Sequence, residues 1–242
     1  MNLKSLNQKV DKHYSILLVE SDKMVSALLK TSLERQGYTV YQEFSVDQIT
    51  NNIVKLKPNM VLFEIDSSNI NNKEICFNIR EVFHGPLVIL SGNDDEKLQL
   101  SAYSAGADDY IIKPISFNLL EAKLEAIIRR VAKNTQYEAN QKVEVGDLSL
   151  YPQAQKCKVK GKGIRLSGFE FQLLLLLLSN VGKVLTRDEI YSLLLGREYN
   201  GLERTIDVRI STLRDKLAKQ GMEQTQIETV WGKGYILNTS AA

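Results

Sequence analysis

Five apolar runs of strand length recur through the first half of the chain, each followed by a stretch of helical character. The runs are ILLV (16–19), YTVY (38–41), MVLF (60–63), PLVIL (86–90) and DYII (109–112). The helical stretches lie near 22–37, 45–56, 72–84, 93–105 and 116–132. A strand with no polar alternation has to be covered on both faces, and intervening helices supply that cover. The pattern therefore predicts a parallel sheet with helices on either side.

Five such units in this length predict an α/β flavodoxin-like domain with a five-stranded parallel sheet, its site at the carboxyl ends of the strands. Glu20, Ser21 and Asp22 follow the first strand, Glu64 and Asp66 the third, Ser91 the fourth, and Lys113-Pro114 the fifth.

The chain has 242 residues, long enough for two domains. Its apolar runs are too short to span a membrane, LLLLLL at 173–178 included. Residues 1–13 are polar and lack the apolar core of a signal peptide. Cys76 and Cys157 are far apart and without metal-ligand spacing, which suits reduced thiols in a cytoplasmic protein. Charge is uneven: 16 Lys+Arg against 18 Asp+Glu in residues 1–141, but 15 against 11 in 142–242. A basic second half points towards nucleic acid.

Residues 132–141, AKNTQYEANQ, are polar and aperiodic and predict a linker between a domain at 14–131, preceded by an extension at 1–13, and a second domain at 142–240. Beyond the linker come four short strand-like runs, VEVG, DLSLY, QKCKVK and GIRLS. Two helices follow, opened by Ser167 with Glu170 and by Thr186 with Glu189, both at the capping-box spacing. The third helix is RTIDVRISTLRDKLAK, 204–219. At 3.6 residues per turn Ile206, Ile210, Leu213 and Leu217 form a core-facing stripe. The opposite face holds Arg204, Val208, Ser211, Thr212 and Asp215, with Arg209 and Lys216 on one shoulder and Asp207 and Arg214 on the other. Short side chains between cations suit a helix in a DNA major groove. A hairpin from QIETV and YILN through WGKG closes the domain, so three helices and a hairpin predict an α+β winged helix-turn-helix.

The motifs ILLVESD, PNMVLFEID, LVILSG and GADDYIIKP resemble the receiver domain of two-component response regulators. The motifs LSGFEFQLLLLL, VLTRDEIYSLL, ERTIDVRISTLRDKL and ETVWGKGYIL resemble the effector domain of the OmpR/PhoB type. In that family an acidic pair after the first strand and an aspartate after the third bind Mg²⁺, and the aspartate accepts a phosphoryl group. The resemblance places Ser91, Lys113 and Tyr110 in the phosphoryl-binding and switch roles. Glu20 keeps one acid of the pair, but Ser21 replaces the other and Glu64 stands at the acceptor position. Mg²⁺ needs near-ideal octahedral oxygen geometry, and a longer side chain displaces the attacking oxygen. The expectation is a receiver that binds Mg²⁺ weakly or not at all and is not switched by aspartyl phosphorylation, Glu64 pairing with Lys113. Two alternatives stand: Asp66 or Asp22 as a substitute acceptor or ligand, and Glu64 as a plain solvent-facing carboxylate.

The resemblance also implies a homodimer through the fourth helix, fifth strand and fifth helix, where Asp109 and Lys123 match a family charge pair and Tyr103, Leu119 and Leu120 could add apolar contact. It implies phosphate contacts from Arg204, Arg209 and Arg214, base reading by Thr212, and a groove lined by Asp207 and Val208. Trp231 takes a position from which some relatives send an arginine into the minor groove; its size makes packing against the hairpin the expectation, with Lys233 as the phosphate contact. The loop Gly196–Gly201 corresponds to a polymerase-touching segment in some members, although a short surface loop needs no such role. The functional expectation is a non-enzymatic, DNA-binding transcription regulator. A phosphorelay regulator using an unusual acid, or a receiver answering a small ligand or partner protein, are the alternatives.

Overall fold

The computed structural model describes residues 14–65, 72–133, 142–152 and 154–239. The extension 1–13 and the linker beyond residue 133 lie outside them, as does Asp66. Contacts divide the chain into two units. One comprises the described residues up to Asp94 with Asp109–Arg129, the other Asp95–Asp108 with the described residues from Arg130 onward.

In the first unit, β1 (Ser15–Val19), β2 (Thr39–Glu43), β3 (Met60–Ile65), β4 (Leu87–Ser91) and β5 (Asp109–Ile112) form one parallel sheet in the order β2-β1-β3-β4-β5. This is the order of a flavodoxin-like doubly wound sheet, the fold class expected from the alternating pattern. Ile16, Leu18, Met60, Leu62, Val88 and Leu90 join one core with Leu29 and Leu33 of α1 (Lys23–Arg35) and Leu120, Leu124, Ile127 and Ile128 of α5 (Phe117–Lys133). Their alternates Leu17, Val61, Phe63 and Ile89 are equally buried and face the other way. α2 (Ile49–Leu56), preceded by a 3₁₀ turn at Val46–Gln48, packs on α3 (Asn72–Val82).

The helix after β4, α4 (Glu96–Ser104), departs from the expected boundary. With the turn that follows it, it belongs by contacts to the second unit, where it packs on α8 (Thr205–Lys219). In the rest of that unit β6 (Val143–Val145), β7 (Leu148–Tyr151), β8 (Lys156–Val159) and β9 (Lys162–Ile164) make an antiparallel platform. α6 (Gly168–Leu178) follows, opened by the expected capping box of Ser167 and Glu170. β10 (Leu185–Thr186) leads into α7 (Arg187–Ile190), which has the second capping box and runs on as a π-helical turn, Tyr191–Leu195, to Gly196 at φ 67°. After α8, β11 (Thr225–Val230) and β12 (Gly234–Thr239) form the wing in a sheet of order β10-β12-β11. Ile206, Ile210, Leu213 and Leu217 are buried with the α6 leucines, as the helical periodicity requires.

The closest approach in this sheet is at Gly234, where a Cβ would lie 1.9 Å from the Leu185 carbonyl oxygen. Gly234→Ala should therefore pry β10 from β12 and lower stability by about 2 kcal/mol, read from the urea midpoint.

Candidate functional site

At the carboxyl end of the first unit's sheet, the apolar run of β1 delivers Glu20 into the interior, 1% exposed. Its Oε1 accepts the Asp22 N–H at 2.9 Å. Ser21 is exposed, and Asp22 caps α1 by accepting from Met24 N at 2.8 Å and Val25 N at 3.0 Å. Glu64, near the end of β3, is half-buried and takes a very short hydrogen bond from Lys113 Nζ, which lies 3.9 Å from Glu20 Oε2. Burial first, and the neighbouring Glu64 carboxyl second, push Glu20 up to about 7, with the Asp22 N–H and Lys113 pulling the other way. Ser91 is buried, its hydroxyl accepting from Asn93 N at 3.1 Å. The buried Tyr110 donates its hydroxyl to the Asn93 carbonyl at 2.9 Å. The structure thus brings Glu20, Glu64, Lys113, Ser91 and Tyr110 to one end of the sheet. Asn93, which ties Ser91 to Tyr110, carries no signal in the sequence because its role is played by backbone atoms.

The pocket is a closed ion pair backed by a second acid, not an open set of carboxylates. Among the described residues no three His, Cys, Asp or Glu side chains group as metal ligands. Ser21 offers no carboxylate, Glu64 is engaged by an ammonium, and Glu20 holds a proton for part of its time near neutrality.

In α8 the outward stripe of Arg204, Val208, Ser211, Thr212 and Asp215 stays at least partly exposed, and Lys219 extends it. Thr212 Oγ1 donates back to the Val208 carbonyl at 3.0 Å. Both shoulders, however, differ from expectation. Arg209 is 1% exposed, its guanidinium 3.9 Å from the Phe169 ring centre and 4.6 Å from that of Tyr103, donating to the Asp108 carbonyl at 2.7 Å. In this conformation it cannot touch a phosphate. Lys216, expected to grip DNA, bonds the buried Glu170 Oε2 at 2.7 Å and ties α8 to the cap of α6.

On the other shoulder Arg214 donates to the Ile227 carbonyl at 2.7 Å and to Thr229 Oγ1 at 2.9 Å, bracing β11. Asp207 accepts from Arg187 Nε at 2.9 Å and, at very short range, from Tyr235 Oη, joining α7, α8 and β12. These two are framework residues rather than groove-lining ones. Periodicity assigns a residue to a face of its own helix but does not say what packs there; Lys219, by contrast, was legible from the same spacing as Arg204.

The wing corrects a third expectation. Trp231 is 91% exposed at the hairpin tip, so it does not pack the hairpin; Arg214 and Tyr235 do that work, 5.8 Å apart. Lys233 is exposed beside it. On the expected dimer face Tyr103 is 6% exposed beneath Arg209 and Leu120 is 1% exposed in the sheet core, so neither is available. Leu119 is exposed, and Asp109 and Lys123 are half-exposed. In the loop 196–201 and its flank, Arg197 makes a bidentate pair with Glu203 at 2.6 Å. Burial pushes the Glu203 carboxyl up, but hydrogen bonds from Arg197 and Thr205 and the charges of Arg197 and Arg209 leave it below its usual range.

A raised Glu20 means that the folded protein holds a proton which the unfolded chain releases at lower pH. Stability contributed there is complete below about pH 4.5 and declines as pH rises to about 7. Glu20→Gln should abolish that decline, a difference of up to about 3 kcal/mol, seen as a divergence of the two melting curves from pH 5 to pH 8.

Two family descriptions match the chain. The response regulator receiver domain covers residues 16–125, and the transcriptional regulatory protein C-terminal domain covers 161–237. Two single mutants of RitR share the fold, with 23% and 21% identity, TM-scores of 0.76 and 0.75, and in each case 93% of this chain and 98% of theirs covered. The DNA-binding domain of CpxR from E. coli is 34% identical over 42% of this chain and 100% of its own, with a TM-score of 0.38. With the two domains matched in this order over well over half of its length, the chain belongs to the response regulators of the OmpR/PhoB type, a receiver followed by a transcriptional regulatory DNA-binding domain.

Proposed function

We propose that this regulator reads double-stranded promoter DNA through α8 and its wing, and that its receiver works without aspartyl phosphorylation and without Mg²⁺. The observation that carries the second half is the Lys113–Glu64 pair with Glu20 behind it. The lysine that would hold a phosphoryl oxygen is already neutralised by the residue at the acceptor position, and the buried acid prefers a proton to a metal near neutral pH. The pocket therefore favours one standing conformation.

The DNA surface is the stripe Arg204, Val208, Ser211, Thr212, Asp215 and Lys219, with Trp231 and Lys233 at the wing. Arg204 and Lys219 meet phosphates at the two ends of the helix, and Thr212 and Ser211 meet base edges between them. The protein acts as a homodimer in the cytoplasm. Its contact is formed on β5, which is the edge strand of its sheet, and the start of α5, where Ile112, Phe117 and Leu119 are exposed. Among the described residues no helix is long and apolar enough to cross a membrane. The loop 196–201, with the exposed Leu193 and Leu202 beside it, offers RNA polymerase an apolar contact.

Incubation of the full chain with Mg²⁺ and acetyl phosphate should leave its mass unchanged; a stoichiometric phosphoryl adduct would overturn the receiver reading. Arg204→Ala should weaken binding to every duplex alike and lower the slope of log K against log salt by about one. Thr212→Ala should instead alter the sequences enriched from a random DNA pool.

A further inference from the structure

The basic surplus of the second half does not lie with its DNA-facing helix. Residues 166–242, which carry α8 and the wing, hold 9 Lys+Arg against 9 Asp+Glu. Residues 142–165, the antiparallel platform of β6 to β9, hold 6 against 2, which is the whole excess. Alternation along the strands sorts these residues by face. Leu148, Leu150, Cys157 and Val159 turn inward and share a core with the inner stripe of α8. Lys156 and Lys158 alternate with them on β8 and are exposed. Across the sheet Lys156 is paired with Tyr151, and Lys158 with Ser149. Lys142, just before β6, reaches the same ring: its Nζ is 5.8 Å from the Tyr151 ring centre, and that of Lys158 is 5.6 Å away. Glu144 pairs with Lys142 and accepts from Ser149 Oγ at 2.9 Å. Lys156 and Lys158 meet no carboxylate among the described residues.

We propose that the outer face of the platform is a second DNA surface, which holds the phosphate backbone of a duplex through Lys156, Lys158 and Lys142 without reading its sequence. It rests on the chain being a DNA-binding regulator, and not on the part given to α8. Two cations two residues apart on a strand stand about 7 Å from each other. With no carboxylate between them they repel until an anion arrives. The Tyr151 ring draws two of the three ammonium groups to its negative face and so gathers them over the sheet. Among its described residues the platform exposes no large apolar side chain. It therefore lacks the apolar anchors of a protein interface, where lysine is also depleted. Ammonium groups gathered on a sheet without apolar neighbours suit a polymer of phosphates. The platform and the outward stripe of α8 back onto one core, so they open in different directions, and DNA on one leaves the other free.

The test measures binding of the full chain to a labelled random-sequence duplex of about 60 base pairs, under half a persistence length, over a range of salt concentrations. Lys156→Gln with Lys158→Gln should weaken binding about tenfold at low salt and lower the slope of log K against log salt by about two. Lys156→Arg with Lys158→Arg keeps both charges and should bind as the unmodified chain does. Glu144→Gln releases Lys142 from its carboxylate and should tighten binding. Lys55→Gln with Lys57→Gln, on α2 and just after it, removes the same charge elsewhere and should leave the slope unchanged. A folded Lys156→Gln, Lys158→Gln protein with an unaltered slope would overturn the proposal, and so would an equal loss from the α2 pair. If that protein is unaltered while Arg204→Ala loses affinity, the platform reading alone is wrong. If it loses affinity while Arg204→Ala does not, the platform stands and the DNA-facing reading of α8 falls. Loss of attachment to phosphatidylserine vesicles, with duplex binding intact, would make the face a membrane surface and end its assignment to DNA.

Discussion

Helix α8 has a limited circumference, and most of the second unit is organised around how it is shared. One stripe, Ile206 to Leu217, is buried with the leucines of α6. The two shoulders are taken by polar contacts that lock neighbouring elements in place. Glu170 on one side bonds Lys216, and on the other Asp207 and Arg214 reach Arg187, Tyr235 and the backbone of β11. What is left for a partner is a narrow outward strip. Partly buried pairs of this kind position a helix even when their net contribution to stability is small. The polar residues of α8 therefore do two jobs, and the ones that look most suited to DNA are mostly the ones that hold the helix still.

The same logic governs the receiver pocket. An aspartate and a second acid would leave a charged, solvated cleft that needs a cation. A longer carboxylate at position 64 instead reaches the lysine at the end of β5 and satisfies it directly. Glu20, buried and with a carboxyl beside it, then lowers its cost of burial by keeping a proton for part of its time near neutrality. Lys113 thus finds its carboxylate partner within the pocket itself.

The two halves present different kinds of surface. The receiver sheet ends in the edge strand β5, and the DNA-binding fold ends in a wing whose tip carries the only tryptophan of the chain, almost fully exposed. An aromatic side chain of that size lies outside any core, with Lys233 exposed beside it.

By itself the sequence determined the five-stranded parallel sheet, the two capping boxes, the wing and the buried stripe of α8. All of these follow from local periodicity, caps and turn residues acting within a few positions of one another. It also determined which residues collect at the sheet's carboxyl end, since strand ends bring together residues that lie far apart in the chain. Tertiary structure alone decided that Arg209 is inside and Trp231 outside, that Lys216, Asp207 and Arg214 brace the fold, and that α4 packs with the DNA-binding unit. A helical wheel gives the direction of a side chain from its own axis; whether water, another helix or DNA lies in that direction depends on elements up to 101 residues away, as Asp108 is from Arg209.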